Sequence, residues 1–202
     1  MIRVALVLLS YLIGATPTSY LVGKWARGID LREHGSGNLG ATNAFRMLGW
    51  RLALPVLVID ILKGWIPAYA FARLDGATPE WALAYGAAAI IGHVFSVYVR
   101  FRGGKGIATS AGVFLALAPL AALVGVLVWG VLVFSTRIVS LASIAAALAL
   151  PLAVYASQGT TPVFWVSVSL AAFVIYAHRS NIRRLLRGEE HRFGRRGAKE
   201  IP

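Results

Sequence analysis

The chain has 202 residues, of which 58% are hydrophobic and only 14% charged, with a mean hydropathy of +0.71. A soluble core of this size cannot hide that much apolar surface, so the solvent for most of the chain is lipid. The net charge of +12 is carried mostly by loops and tail, which on a membrane protein signals orientation and contact with anionic lipid, not nucleic acid. Cysteine is absent, so disulfides, thiolate nucleophiles and Cys-ligated metals are excluded.

The apolar runs are long and do not alternate as barrel strands do, so the spans are helical. The expected fold is all-α, a polytopic membrane bundle forming a single domain over residues 1–202 with a basic tail at 179–202. Residues 3–23 form the first span, bent near Pro17. Polar Ser10, Thr16, Thr18 and Ser19 leave no clean cleavage site, so this helix is expected to be retained. A charged exit, Lys24 to Arg32, leads into the stretch Gly35-Ser36-Gly37-Asn38-Leu39-Gly40-Ala41-Thr42-Asn43-Ala44-Phe45-Arg46. Spans at 50–72 and 81–99 follow, then a basic glycine cluster at 102–106, an apolar run at 107–134, and spans at 141–156 and 162–178.

The run 107–134 decides the topology. One helix through it would be about 42 Å long, against a hydrocarbon core of roughly 30 Å. Broken near Pro119 it becomes two shorter segments, the bundle has seven helices, and the tail returns to the side of the glycine cluster. That side then carries 17 of the lysines and arginines, against Arg3 and Arg73 on the other, with Lys63 inside a span. The positive-inside rule makes the rich side cytoplasmic, with the N-terminus outside and the C-terminus inside.

Three clusters carry chemistry. In the stretch ending at Arg46, glycines allow close backbone approach, Ser36, Asn38, Thr42 and Asn43 supply hydrogen-bonding groups, and Arg46 is a forked cation suited to phosphate. An ordinary glycine-rich turn is the plainer alternative. Arg102-Gly103-Gly104-Lys105-Gly106 opens a helix at its N-terminus, a place that favours anions. It is not a nucleotide-binding P-loop: position 99 is Val where the first glycine belongs, and no Ser or Thr directly follows Lys105. The alternative is a basic cytoplasmic turn, made less comfortable by Gly92-His93 and Thr109 on either side. His178 and Asn181 end the last span three residues apart, and His178 is either an acid/base group or a helix-end cap. Asp60 and Lys63 inside the second span read best as a mutually neutralising pair. Ser143, one turn beyond Ser140, is positioned to enter the same cavity, with a capping role equally open for Ser140.

Eight carboxylates, none clustered, argue against a two-metal or carboxylate-dyad site, and there is no Gly-x-Ser-x-Gly elbow. What remains is a pocket with two anion-binding loops, amides and a histidine, suited to phosphate-bearing substrates, with no cofactor and no metal expected.

Taken together, Ser36-Gly-Asn-Leu-Gly-Ala-Thr-Asn43 with Arg46, Gly92-His93-x-Phe95 leading to Phe101-x-Gly103-Gly-Lys-Gly106-x-Ala-Thr109, and His178-x-x-Asn181-Ile182 closely resemble the three motifs of the acyl-phosphate:glycerol-3-phosphate acyltransferases, the PlsY family. Asp30-x-Arg32, Asp60-x-x-Lys63-Gly64 and Arg137-x-x-Ser140-x-x-Ser143 also match, in the family's order, from about residue 10 to residue 192. The tail departs from the pattern: the family often has Gly-Thr-Glu where this chain reads Gly188-Glu189-Glu190.

The resemblance implies a bacterial inner-membrane enzyme with its active site facing the cytoplasm. It transfers a long-chain acyl group from acyl phosphate to the 1-hydroxyl of glycerol 3-phosphate, giving 1-acylglycerol 3-phosphate and phosphate. Gly103, Gly104, Lys105 and Gly106 would hold the donor, with Lys105 stabilising the leaving phosphate. Ser36, Gly37, Asn38, Thr42, Asn43 and Arg46, with His178 and Asn181, would hold the acceptor, and His93, Thr109 and Ser143 complete the expected site. The catalytic set is Lys105, His178, Ser36 and Arg46, and the base is either His178 or a substrate phosphate oxygen. The basic tail is open to two readings, contact with anionic lipid or transient contact with the enzyme that makes the acyl phosphate. A transporter for an organic phosphate is the rival from another class, but it needs polar residues at both faces, and the outer loops are nearly bare of charge.

Overall fold

A computed structural model describes residues 1–76 and 78–193; the end of the expected basic tail, 194–202, lies outside the described residues. Among those described the secondary structure is helical throughout, divided into two compact units, Met1–Leu117 and the chain from Ala118 onward.

In the first unit the expected bend at Pro17 is a break between α1 (Ile2–Ala15) and α2 (Thr18–Arg27), because the proline ring removes an N–H from the ladder. Next come α3 (Ala41–Leu48) and α4 (Trp50–Ile66), the latter continuing through a π-helical turn (Pro67–Phe71) into α5 (Ala72–Leu74). After them stand α6 (Pro79–Val94), a 3₁₀ turn (Val97–Val99) and α7 (Ile107–Leu117). α1 packs along α6 and α4 along α7. Both pairs approach closely through glycine, because a Cβ at Gly92 would overlap the carbonyl of Tyr11 and one at Gly112 that of Ile61. Small residues at helix crossings are the usual device where lipid offers no hydrophobic drive between helices.

The second unit comprises α8 (Pro119–Thr136), α9 (Val139–Gln158), α10 (Pro162–Ala177) and α11 (Arg179–Leu186). α8 packs on α9 and α9 on α10, while Leu120, Leu123, Leu127, Val131 and Phe134 of α8 remain exposed, the expected state of a lipid-facing stripe. α10 and α11 meet at His178 with a bend of 59°.

Among the described residues five stretches are long and apolar enough to cross a membrane: Ile2–Arg27, Trp50–Leu74, Pro79–Val99, Pro119–Thr136 and Val139–Gln158. The bent pair α10–α11 makes a sixth candidate. The run 107–134 is broken where Pro119 demands it, and its first piece, α7, has only 11 residues. At 1.5 Å per residue it reaches about half of the hydrocarbon thickness.

Candidate active site

The first glycine-rich stretch is held from below by apolar side chains and from above by polar ones. Leu31 and Leu39 are buried against Ala44, Leu48, Ala53 and Val56, which clamps both ends of the loop into the core of the first unit. Asp30 takes the Arg32 guanidinium in a fork, Nη2 to Oδ2 at 2.7 Å and Nε to Oδ1 at 3.1 Å, and accepts the Arg32 backbone N–H. That guanidinium, reinforced by the backbone N–H, holds the Asp30 carboxyl below its ordinary range despite its burial. His34 Nδ1 donates to the carbonyl of Asp30 at 2.8 Å. Asn43, in the first turn of α3, donates its amide to the carbonyls of Leu31 and His34 and accepts the N–H of Ser36 at 2.9 Å. Its amide is therefore committed to shaping the loop, which leaves Ser36, Gly37 and Thr42 exposed and Asn38 and Arg46 half-buried. Thr42 and Arg46 share one face of α3.

The second glycine cluster is folded back onto the end of α6. Phe101 N–H donates to Ser96, Gly103 N–H to Val94 and Gly104 N–H to His93, at 2.8, 3.0 and 3.1 Å. Two of the amides expected to face an anion are thus spent as caps for α6. The donors that the geometry leaves are the first-turn amides of α7, from Ile107 to Thr109, which have no acceptor within the helix. Gly106, at φ +79°, makes the turn into α7 and accepts its first helical hydrogen bond, from Ser110, at 2.8 Å. Lys105 stands half-buried beside this N-terminus. Thr109 is wholly buried and packs on Gly64 of α4, a helix-contact position.

Beneath the glycine cluster lies a buried ionic network. Lys63 Nζ sits 2.7 Å from Asp60 Oδ1, and their side chains are 5% and 1% exposed. The pair is inserted at the α1–α2 break. Lys63 donates to the carbonyl of Thr16 at the C-terminus of α1, at 2.9 Å. Asp60 accepts the hydroxyl of Thr18 at the N-terminus of α2, at 3.1 Å. Each charge meets the helix end of opposite partial charge, which explains how an ion pair is tolerated here. His93 is buried with Nδ1 3.9 Å from Asp60 Oδ1, and Lys63, His93, Leu39, Gly103 and Gly104 line one small cavity.

The second unit carries its own polar cluster. α8 ends with Arg137 in the left-handed conformation, and Ser140 and Ser143 stand in the first turns of α9. Ser143 accepts the indole N–H of Trp129 at 3.3 Å. His178, at the α10–α11 bend, donates Nδ1–H to the carbonyl of Val174 at 2.9 Å, so the lone pair of the neutral ring is on Nε2. Asn181 donates Nδ2 to Glu190 Oε1 at 2.7 Å, Ser140 donates to the same oxygen at 2.9 Å, and Arg184 Nε donates to Oε2 at 2.7 Å. Burial pushes the Glu190 carboxyl up, but the bonds from Asn181, Arg184 and Ser140 outweigh it and hold Glu190 below its ordinary value.

Sequence reasoning did not single out Glu190 as a functional residue, and the only signal was its place in the departed tail motif. Neither did it place Lys63 under the glycine cluster, since only the fold brings position 63 beside positions 103 and 104.

The fold is that of an integral membrane protein, and it sets a helix N-terminus with a flanking lysine, donors of the kind that suit anions, beside its polar loops. Its relatives narrow that class. Residues 4–188 match the glycerol-3-phosphate acyltransferase family model. The glycerol-3-phosphate acyltransferase of Fusobacterium nucleatum is 43% identical over 187 residues, spanning 93% of this chain and 96% of that protein. That of Geotalea daltonii is 44% identical, spanning 96% and 98%. The crystal structure of PlsY, an integral membrane glycerol 3-phosphate acyltransferase, in its glycerol 3-phosphate form superposes with a TM-score of 0.90 at 40% identity over 96% of both chains. Its lysophosphatidic acid form gives 0.86 at 39%. The chain belongs to the PlsY family of glycerol-3-phosphate acyltransferases and is an integral membrane enzyme.

Proposed function

We propose that the donor is an acyl phosphate and that the reaction is acyl transfer to the 1-hydroxyl of glycerol 3-phosphate, releasing inorganic phosphate and leaving 1-acylglycerol 3-phosphate. The observation that carries this reading is the glycine cluster, which caps α6, turns at Gly106 and presents the N-terminus of α7 with Lys105 beside it. A mixed anhydride needs little more than charge neutralisation on its leaving phosphate, and this is what a helix N-terminus and an ammonium supply. No histidine of the chain is followed five residues later by aspartate, the pair that thioester-dependent acyltransferases use.

In this mechanism the hydroxyl attacks the donor's carbonyl carbon. The tetrahedral intermediate collapses with cleavage of the carbon–oxygen bond to phosphate, and the hydroxyl proton passes to a phosphate oxygen of the substrates. Lys105 and the α7 amides stabilise the departing phosphate. Ser36 and Arg46, on the loop that Asn43 shapes, serve the acceptor, with Gly37, Asn38 and Thr42 beside them. His178 and Asn181 orient it, and Ser143 lies among the polar groups of the second unit. His178→Ala is then expected to raise KM for glycerol 3-phosphate along with lowering kcat, whereas loss of kcat alone would mark Nε2 as the base.

The seven apolar segments serve as seven spans, with the N-terminus outside, the active site facing the cytoplasm, and the host membrane the bacterial inner membrane. The loop before α7 folds back onto the end of α6, and in this reading that return is what lets a segment of only 11 residues complete a span. The chain has no native cysteine, so single cysteines at Arg73 and Arg102 report the sides directly: external thiol reagent on intact cells should label the first and spare the second.

The reaction is tested with purified protein in lipid, offering glycerol 3-phosphate with palmitoyl phosphate or palmitoyl-CoA. Product and phosphate should appear in equal amounts from palmitoyl phosphate alone, and Lys105→Ala should slow their formation sharply while raising KM for palmitoyl phosphate. Product from the thioester, or none from the acyl phosphate, would overturn the donor assignment.

A further inference from the structure

The buried network under the glycine cluster is not used by the chemistry above, and its place suggests what it does. Gly104 rests on the His93 ring: a Cβ there would collide with Nε2, and one at Gly103 would collide with the His93 carbonyl. The height of the cluster is therefore set by where His93 sits. His93 in turn faces Asp60, whose Oδ1 is 3.9 Å from Nδ1. Lys63 reaches the same cavity with two of its three N–H bonds committed, to Asp60 and to Thr16. Among the described residues Asp60 Oδ2 and His93 Nδ1 are both buried without a hydrogen-bond partner. Polar atoms left without a partner are costly to keep in a lipid-embedded core unless they serve a purpose there.

We propose that Asp60, Lys63 and His93 are positioning residues for the anion loop, holding Gly103 and Gly104, and through them Lys105 and the α7 N-terminus, at the height where a substrate phosphate is bound. The α1–α2 break anchors the ion pair, the ion pair seats the imidazole, and the imidazole carries the loop. This inference rests on the reading that the loop binds a phosphate, but not on which substrate supplies it.

Removing one charge alone would strand its partner, so the informative variant is the neutral double substitution Asp60→Asn with Lys63→Met. KM for each substrate and kcat are measured in lipid for this variant and for Lys105→Ala. A thiol reporter, Ser110→Cys, sits behind Gly106, is 5% exposed and gives up no hydrogen bond, because Ser110 Oγ has no partner among the described residues.

The double variant is expected to raise about tenfold the same KM that Lys105→Ala raises, with the other KM held within about twofold. It should also label faster at position 110. If that KM belongs to glycerol 3-phosphate in both variants, the positioning role stands and the donor assignment of the loop falls. A folded double variant with both KM values and the labelling rate unchanged overturns the positioning role. Should the double variant fail to fold, His93→Gln carries the same expectation, and an unchanged KM pattern there is equally decisive.

Discussion

Two buried carboxylates organise polar groups in this enzyme, and they do so under opposite conditions. Asp60 sits within a membrane-spanning stretch, 1% exposed, its charge balanced by Lys63 and by the N-terminus of α2. Glu190 sits beyond the last helix, its side chain 7% exposed, and it gathers donors from α9 and α11 around one carboxylate. The first is closed to water and can only be kept or removed as a neutral pair. The second borders solvent and can exchange its partners for water. The same chemistry, a carboxylate with a cation at 2.7 Å, is therefore a fixed structural element in one place and an adaptable one in the other.

The sharpest way to break the comparison is to remove a single partner from each cluster. Lys63→Met, leaving Asp60 buried and unpaired, should cost about 3–5 kcal/mol in stability, read as loss of folded protein or a large fall in the thermal midpoint in detergent. The double substitution with Asp60→Asn should recover most of that loss. Arg184→Met beside Glu190 should cost far less, because water and the remaining donors replace the lost guanidinium. Comparable losses for Lys63→Met and Arg184→Met would erase the distinction.

Glu190→Ala comes next. It removes the acceptor for Ser140, Asn181 and Arg184, and charge-assisted bonds of this kind contribute about 1.5–3 kcal/mol. Asn181 loses its orientation, so turnover should fall by up to about a hundredfold. Glu190→Gln keeps an acceptor oxygen and should recover part of both. Kinetics and thermal melting of the two variants side by side check the order Ala below Gln below the parent enzyme.

The acid response separates the clusters without mutation. Glu190 is held below its ordinary value in the fold, so its contribution is fully present above the unfolded carboxylate pKa of about 4.3. It is lost as pH falls through the lower folded value. Thermal midpoints should be insensitive to this group from pH 8 to about 5, then fall, and Glu190→Gln should flatten the acid limb. An acid limb unchanged in that variant would assign it to other groups, Asp30 first among them.

What the sequence made legible divides along similar physical lines. The lipid environment, the break at Pro119, the bend at Pro17 and both glycine-rich stretches are local properties of composition and of residues that forbid or permit a backbone conformation. The roles of particular side chains were less legible because they depend on distant partners. Asn43 reads as a substrate ligand in the sequence, yet its amide is committed to Leu31, His34 and Ser36. Gly103 and Gly104 read as anion donors, yet their N–H groups cap α6. Glu190 meets Ser140 across 50 positions, a separation at which periodicity carries no information. The Asp60–Lys63 pair was legible as a pair, from its i, i+3 spacing, but not its place at the α1–α2 break.

The smallest effect belongs to the Asp30–Arg32 pair, and it tests whether loop shape or charge sets the acceptor loop. Arg32 is 28% exposed, so the ion pair is partly screened, and pairs of this kind contribute about 0.2–1 kcal/mol. Asp30→Asn removes the charge but keeps a side-chain oxygen for the Arg32 backbone N–H, and the carbonyl of residue 30 remains for His34. Stability should therefore drop by no more than that range, and KM for glycerol 3-phosphate should rise by only about twofold. Because Leu31 and Leu39 clamp the loop from beneath and Asn43 from the side, the loop keeps its shape without the ion pair. Asn43→Ala should do more damage than Asp30→Asn, even though it removes no charge at all. If the two variants come out in the reverse order, charge and not loop shape governs how Ser36 and Arg46 meet the acceptor.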